Sequence, residues 1–287
     1  GLPPGSLVHL HVGEGERGRT KLRVLEYSPA DFDEREIEQV EDLVPVKAAP
    51  AVTWIDVEGI HDLELLEKLG QRFNLHPLIL EDIIHTDQRP RVQDYGDYLF
   101  VVLKMLDYHE KEDEVVVEQV SLILGPNYLV SFQEGDGVAA FEPVRHLLRA
   151  NKSRIRHSGP DYLADMLMDA IVDHYFVVLE KLGERIEVVE DELVANPAKE
   201  TLGAIHSLKR NMLLVRRAVW PLREVVGTLE RAESPLIQES TGVYLRDVYD
   251  HIYRISENVD TFRDLLQGAL DAYLTLVANR TNAAMKV

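Results

Sequence analysis

Two adjacent carboxylates, Glu81 and Asp82, stand in the middle of the apolar stretch "LILEDII" (78–84), with His85 and Asp87 close behind. A second acidic series, Asp161, Asp165, Asp169 and Asp173, repeats at intervals of four residues. On a helix this stacks four carboxylates along one stripe, where like charges cost roughly 0.2–0.5 kcal/mol per pair. A third group, Asp247, Asp250 and His251, lies in "YLRDVYDHIYRI" (244–255), with Asp247 and His251 four residues apart. Oxygen-rich sets of this kind suit hard divalent cations such as magnesium, which take one or two carboxylates and keep several waters. Asp82 joined by Asp247 or Asp250 from another element would supply such a pair. Each cluster taken alone also reads as the solvated face of a helix, its first members favouring the helix N-terminus.

Other patterns carry less. Gly13, Gly15 and Gly18 match a dinucleotide-binding spacing after the strand-like "LVHLHV" (7–12). That motif must open a helix, yet "RTKLRVLEY" continues as a strand and Glu14 and Glu16 would repel phosphate. A hairpin loop accounts for it better. His9 and His11 share one face of a strand without a third ligand and read as surface residues. There is no P-loop, nucleophile elbow, H-E-x-x-H or defensible triad spacing, so no enzyme is expected.

Composition narrows the partners. The chain has 287 residues, 45% apolar and 28% charged, with a formal charge of −19. Such an acidic balance disfavours nucleic acid and anionic membrane surfaces and suits cations. Cysteine is absent, which excludes disulfides, thiolate metal sites and thiol catalysis. No stretch approaches the roughly 18 uninterrupted apolar residues of a membrane helix, and the first residues lack the basic start and apolar core of a signal peptide.

The elements that must position these carboxylates fall into two regions. Residues 1–137 alternate strand-like runs, "LVHLHV" (7–12), "KLRVLEY" (21–27), "AVTWIDV" (51–57), "YLFVVLKML" (98–106), "EVVVEQVSLIL" (114–124) and "NYLVSF" (127–132), with helical stretches near 31–43, 62–73 and 77–85. Asp31 and Asp62 are placed as N-caps. This predicts an open sheet with helices packed on it. Residues 138–287 lose the strand pattern. One helix opens at Pro160 and Asp161 and runs to about Val194; a second, with Pro221 inside it, runs to about Ala232.

In the last helix Leu245, Val248, Ile252, Ile255, Val259, Phe262, Leu266, Ala269, Tyr273 and Leu276 keep alternating spacings of three and four. That 3.5-residue period marks a helix packed along other helices. Those helices belong either to partner chains or to the same domain. About 45 residues at roughly 1.5 Å each make a rod of about 70 Å, and the absence of a terminal cap in "NRTNAAMKV" leads to the expectation that a further segment follows it.

Together, "HPLILEDIIHTDQRPRVQDYGDYLFVVLKM", "EQVSLIL", "LKRNMLLVRRAVWPLRE", "YLRDVYDH" and "NRTNAAMKV" resemble, in collinear order over nearly the whole chain, the CorA magnesium/cobalt transporter family. The resemblance implies an α+β fold: an N-terminal α/β/α sandwich with a mixed sheet, then two acidic helices (about 160–232) beside a long stalk helix (about 239–287). It implies a homopentamer at the cytoplasmic face of the inner membrane, joined to it through a segment beyond this sequence that holds a Tyr-Gly-Met-Asn motif.

The resemblance also assigns residues. Asp82 matches a regulatory metal-binding aspartate and Asp247 its partner on the neighbouring subunit's stalk; Glu81 and Asp169 match ligands of a second site. Asp271, Asn282 and Met285 would lie at the inner mouth of the pore. Mg2+ or Co2+, regulatory and transported, is the expected ion, with no organic cofactor. Rival readings are a zinc or nickel transporter of the same superfamily, kept open by His85 and His251, a soluble coiled-coil scaffold and, more distantly, a metal-dependent hydrolase.

Overall fold

A computed structural model describes residues 20–47, 51–135, 140–151, 154–195, 198–231 and 234–284. The strand at 7–12, His9, His11 and the glycine loop lie outside these residues, as does Met285. Seven strands form one mixed sheet: β1 (Lys21–Tyr27), β2 (Phe32–Ile37), β3 (Val52–Glu58), β4 (Arg91–Asp94), β5 (Leu99–His109), β6 (Glu114–Leu124) and β7 (Tyr128–Gln133). Their order is β2-β1-β3-β7-β6-β5-β4, with β3 and β7 parallel and the other neighbours antiparallel.

The central strands are continuously apolar because both faces of the sheet are covered. Along β5, Phe100 and Val102 point to one side, with Ile55, Val57 and the helices α1 (Leu63–Arg72) and α2 (Pro77–Ile84). Leu99, Val101 and Leu103 point to the other, against α3 (Glu142–Ala150) and α4 (Pro160–Ala195). That second core runs on into α5 (Lys199–Glu230) and α6 (Glu239–Ala284). The fold is therefore α+β, a mixed sheet between helical layers followed by long C-terminal helices.

Local chemistry sets the boundaries. Asp62 caps α1 by accepting from the Leu65 amide at 3.0 Å. α2 begins at Pro77, whose missing N–H costs nothing in a first turn. Asp56, fully buried on β3, accepts from Ser131 Oγ at 2.6 Å, Gln133 Nε2 at 2.9 Å and Arg145 Nη1 at 2.6 Å, fixing α3 to the sheet.

Three departures from the expected elements have clear causes. The helix expected near 31–43 is instead the edge strand β2 and a short 3-10 turn, Val40–Asp42. Asp31 is no N-cap but closes the hairpin: its amide donates to Ser28 Oγ and its carbonyl accepts from the Ser28 amide. The charges of "DEREI" mark an edge strand, where Arg35 pairs with Glu26 and Glu34 with Arg149. β4, too short and polar for a period to show, and α3 were not anticipated.

α6 buries Leu245, Val248, Ile252, Ile255, Val259, Leu266, Ala269 and Tyr273 against α4 and α5 of its own chain. The seam opens beyond that point: Leu274, Leu276 and Val277 are exposed. Gly183 of α4 faces the Phe262 ring so closely that a β-carbon there would come within 3.0 Å of it.

Candidate metal centre

α4 presents the aspartate ladder obliquely, so its members emerge from the core in order. Asp161 and Asp165 are buried, Asp169 is half-buried and Asp173 is exposed. Asp161 ties the start of α6 in place, accepting from the Gln238 amide at 2.9 Å and Thr241 Oγ1 at 2.6 Å. Asp165 has no such support: its Oδ1 is buried without a hydrogen-bond partner among the described residues. Burial, and then the charges of Asp169, Asp161 and Asp247, push its pKa up to about 8. Asp169 is also shifted upward, chiefly by burial and then by Asp173.

α6 brings His251 and Asp247 to this stripe. His251 Nδ1 lies 3.6 Å from Asp169 Oδ1, and Nε2 lies 3.8 Å from Asp247 Oδ2. Both separations exceed hydrogen-bonding distance, and Asp169 Oδ1 and His251 Nδ1 are buried without a hydrogen bond. One ligand atom each from Asp169, Asp173 and His251 lie within 4.8 Å of one another. With metal–ligand bonds of about 2.0–2.6 Å, a single cation can span that gap. A cation there would also supply the charge that the half-buried Asp169 carboxylate lacks. The stripe opens into a cleft of about 430 Å³ between α3 and α4, lined by Asp169, Asp173 and His174. The residues present thus fit a divalent cation held by two carboxylates and one imidazole.

The other expected ligands lie in different surroundings. Asp82 and Glu81 are on α2, and no metal-ligating trio among the described residues includes either, or Asp247 or Asp250. Asp82 is engaged by Arg91 of β4, whose Nη2 donates to Oδ2 at 2.5 Å. It is 23% exposed, and burial raises its pKa despite the arginine. Glu81 stands 3.9 Å from His85 Nδ1. Asp247, 71% exposed, and Asp250 point outward from α6. Asp271 accepts from Gln267 Nε2 at 3.1 Å, and Asn282 is exposed near the helix end.

Asp173 and His251 were visible in the sequence as members of the ladder and of the Asp247 group, but nothing there showed that α4 and α6 set them side by side. Arg91 as the partner of Asp82 gave no signal at all, because β4 itself did not.

The chain also resembles known proteins. A family described as CorA-like Mg2+ transporter protein matches residues 50–287. The cobalt/magnesium transport protein CorA of Thermotoga maritima is 45% identical over the whole chain, which spans 81% of that protein. The putative metal ion transporter YfjQ of Bacillus subtilis is 30% identical over 81% of this chain and 70% of its own. Among solved structures, the complete CorA magnesium transporter of Methanocaldococcus jannaschii superposes with a TM-score of 0.77 at 20% identity, covering 92% of this chain and 80% of that one. The ZntB cytoplasmic domain of Vibrio parahaemolyticus shares the fold at a TM-score of 0.70 and 14% identity, covering 90% of this chain and 99% of its own. No helix among the described residues is long and apolar enough to cross a membrane. A family match over most of the sequence and close identity along its full length place this chain in the CorA family of Mg2+ transporters, a family of ion carriers and not of enzymes.

Proposed function

We propose that this chain is the cation-sensing and gating part of a Mg2+/Co2+ transporter, positioned at the cytoplasmic face of the inner membrane. The observation that carries the reading is the meeting of Asp169, Asp173 and His251, in which a half-buried and an exposed carboxylate face an imidazole, with Asp169 Oδ1 and His251 Nδ1 buried and unbonded. A bound divalent cation supplies balancing positive charge. Asp82 and Glu81 of one copy, set against Asp247 and Asp169 of the next, complete the scheme. Without cations these carboxylates repel across the boundary; with cations they are bridged, which favours the closed assembly. High internal Mg2+ then holds the pore shut, and its loss frees the subunits to move. The apolar end of α6 supports a homo-oligomer, the pentamer of the family, because Leu274, Leu276 and Val277 stay exposed among the described residues. Asp271, Asn282 and Met285 would then ring the pore axis.

Imidazole in the trio favours one alternative ion class, the softer divalent metals such as zinc and nickel. The coiled-coil scaffold has less support, since α6 spends its heptad seam on its own α4 and α5. Visible absorption of bound Co2+ tests the site, because its intensity and position follow ligand type and geometry. We expect a saturable Co2+ spectrum that changes in His251→Ala and is lost in Asp169→Asn with Asp173→Asn. Identical spectra in all three proteins would remove these residues from the site.

A further inference from the structure

A cavity of about 760 Å³ lies away from the aspartate ladder, between α5 and the loop that joins α2 to β4. Its lining runs against the charge of the molecule. In a chain of net charge −19, cations outnumber carboxylates here four to two: Arg89, Lys104, Arg216 and Arg217 against Asp87 and Glu134. The two carboxylates act on Lys104, which is half-sunk in the wall and whose pKa burial lowers. Lys104 Nζ donates to the Thr86 carbonyl and, at 3.4 Å, to Gln119 Oε1, so this wall is braced.

The arginines on α5 are not so engaged. Neither Arg216 nor Arg217 has a hydrogen bond or ion pair among the described residues, and Arg216 Nε is buried with no acceptor. A buried N–H without an acceptor is costly. What Arg216 does have is Trp220, whose ring centre lies 5.0 Å from its guanidinium carbon. Trp220 is 40% exposed and Leu213, two helical turns earlier on the same face, 45%. The cavity wall thus carries two arginines, at neighbouring positions of α5, beside an aromatic and aliphatic rim. The arginines suit a phosphate group, to which arginine presents parallel N–H donors. The rim suits a planar ring, stacked on Trp220 as the guanidinium already is.

We infer that this cavity is a second ligand site, one that takes a nucleoside polyphosphate, with its phosphates on Arg216 and Arg217 and its base against Trp220. The inference does not depend on the cation-gating reading.

The probes are magnesium-loaded adenosine triphosphate and magnesium pyrophosphate, titrated by calorimetry at constant free Mg2+ so that the metal centre stays equally occupied. Emission is followed in parallel: Trp54 is fully buried, so quenching reads Trp220. The nucleotide is expected to bind saturably, to quench emission and to bind about tenfold more tightly than pyrophosphate, the margin supplied by stacking. Arg216→Gln with Arg217→Gln should weaken both ligands at least about tenfold while leaving the melting temperature unchanged. Trp220→Leu should leave pyrophosphate binding intact and abolish the preference for the nucleotide. No saturable heat with either probe, or unchanged affinity in the double arginine variant, would overturn the site. So would emission that follows protein concentration instead of ligand, which would mean that a second copy covers the cavity. Equal affinity for the two probes would overturn the aromatic wall as a base-binding surface.

Discussion

Among single residues, Asp165 exposes the cost of the ladder most clearly. Its carboxyl is buried beside three other carboxylates and its pKa is raised to about 8, against roughly 3.9 in an unfolded chain. The folded state therefore holds a proton that the unfolded state gives up above about pH 4. Stability falls as pH rises through the window between those values, and the loss is complete above about pH 8. Asp165→Asn removes the titration while keeping the shape. With chelator present, we expect this variant to melt at a higher temperature than wild type at pH 8, by about 1–3 kcal/mol of stability, and to match it near pH 4. Melting curves across that range check the sign; an unchanged pH slope would contradict it. The sequence showed the four aspartates at helical spacing and so revealed the repulsion. It could not show which of them are buried, because that depends on how α4 leans against the sheet and α6.

At the level of elements, α6 does two jobs along one period. From Leu245 to Tyr273 its seam is core; from Leu274 onward the apolar residues are exposed. Truncating a buried seam residue should cost far more than truncating an exposed one: Ile255→Ala about 2–5 kcal/mol, Leu274→Ala within about 0.5 kcal/mol in the isolated chain. Denaturant melts of the monomeric protein measure both, and comparable losses would mean that the end of α6 is packed as well. The heptad pattern predicted a packed helix and left open whether its partners were in the same chain. Periodicity records how much of a helix is covered, not by what, so the answer needed α4 and α5 in place. Strand-forming runs such as "EVVVEQVSLIL" were legible for the opposite reason: each face of the sheet has its own core, and the sequence carries both. β2 has the sequence pattern of a helix because its charged residues serve an edge, where the apolar alternation that identifies a strand is replaced by ion pairs.

For the whole molecule the governing quantity is the excess of carboxylates, 50 acidic against 31 basic residues. Copies of such a chain repel one another, and monovalent salt only screens that repulsion. Divalent cations held between carboxylates reverse it locally. Cation-linked stability should therefore saturate with Mg2+ at constant ionic strength, and should reach about 2.7 kcal/mol when the ion is at a hundred times its dissociation constant. The measurement that decides the matter is the melting temperature against Mg2+ or Co2+, in wild type and in Asp82→Ala with Asp247→Ala. The account predicts a saturable rise in wild type that is reduced in the double variant to the share held by Asp169, Asp173 and His251. An equal rise in both proteins would contradict it.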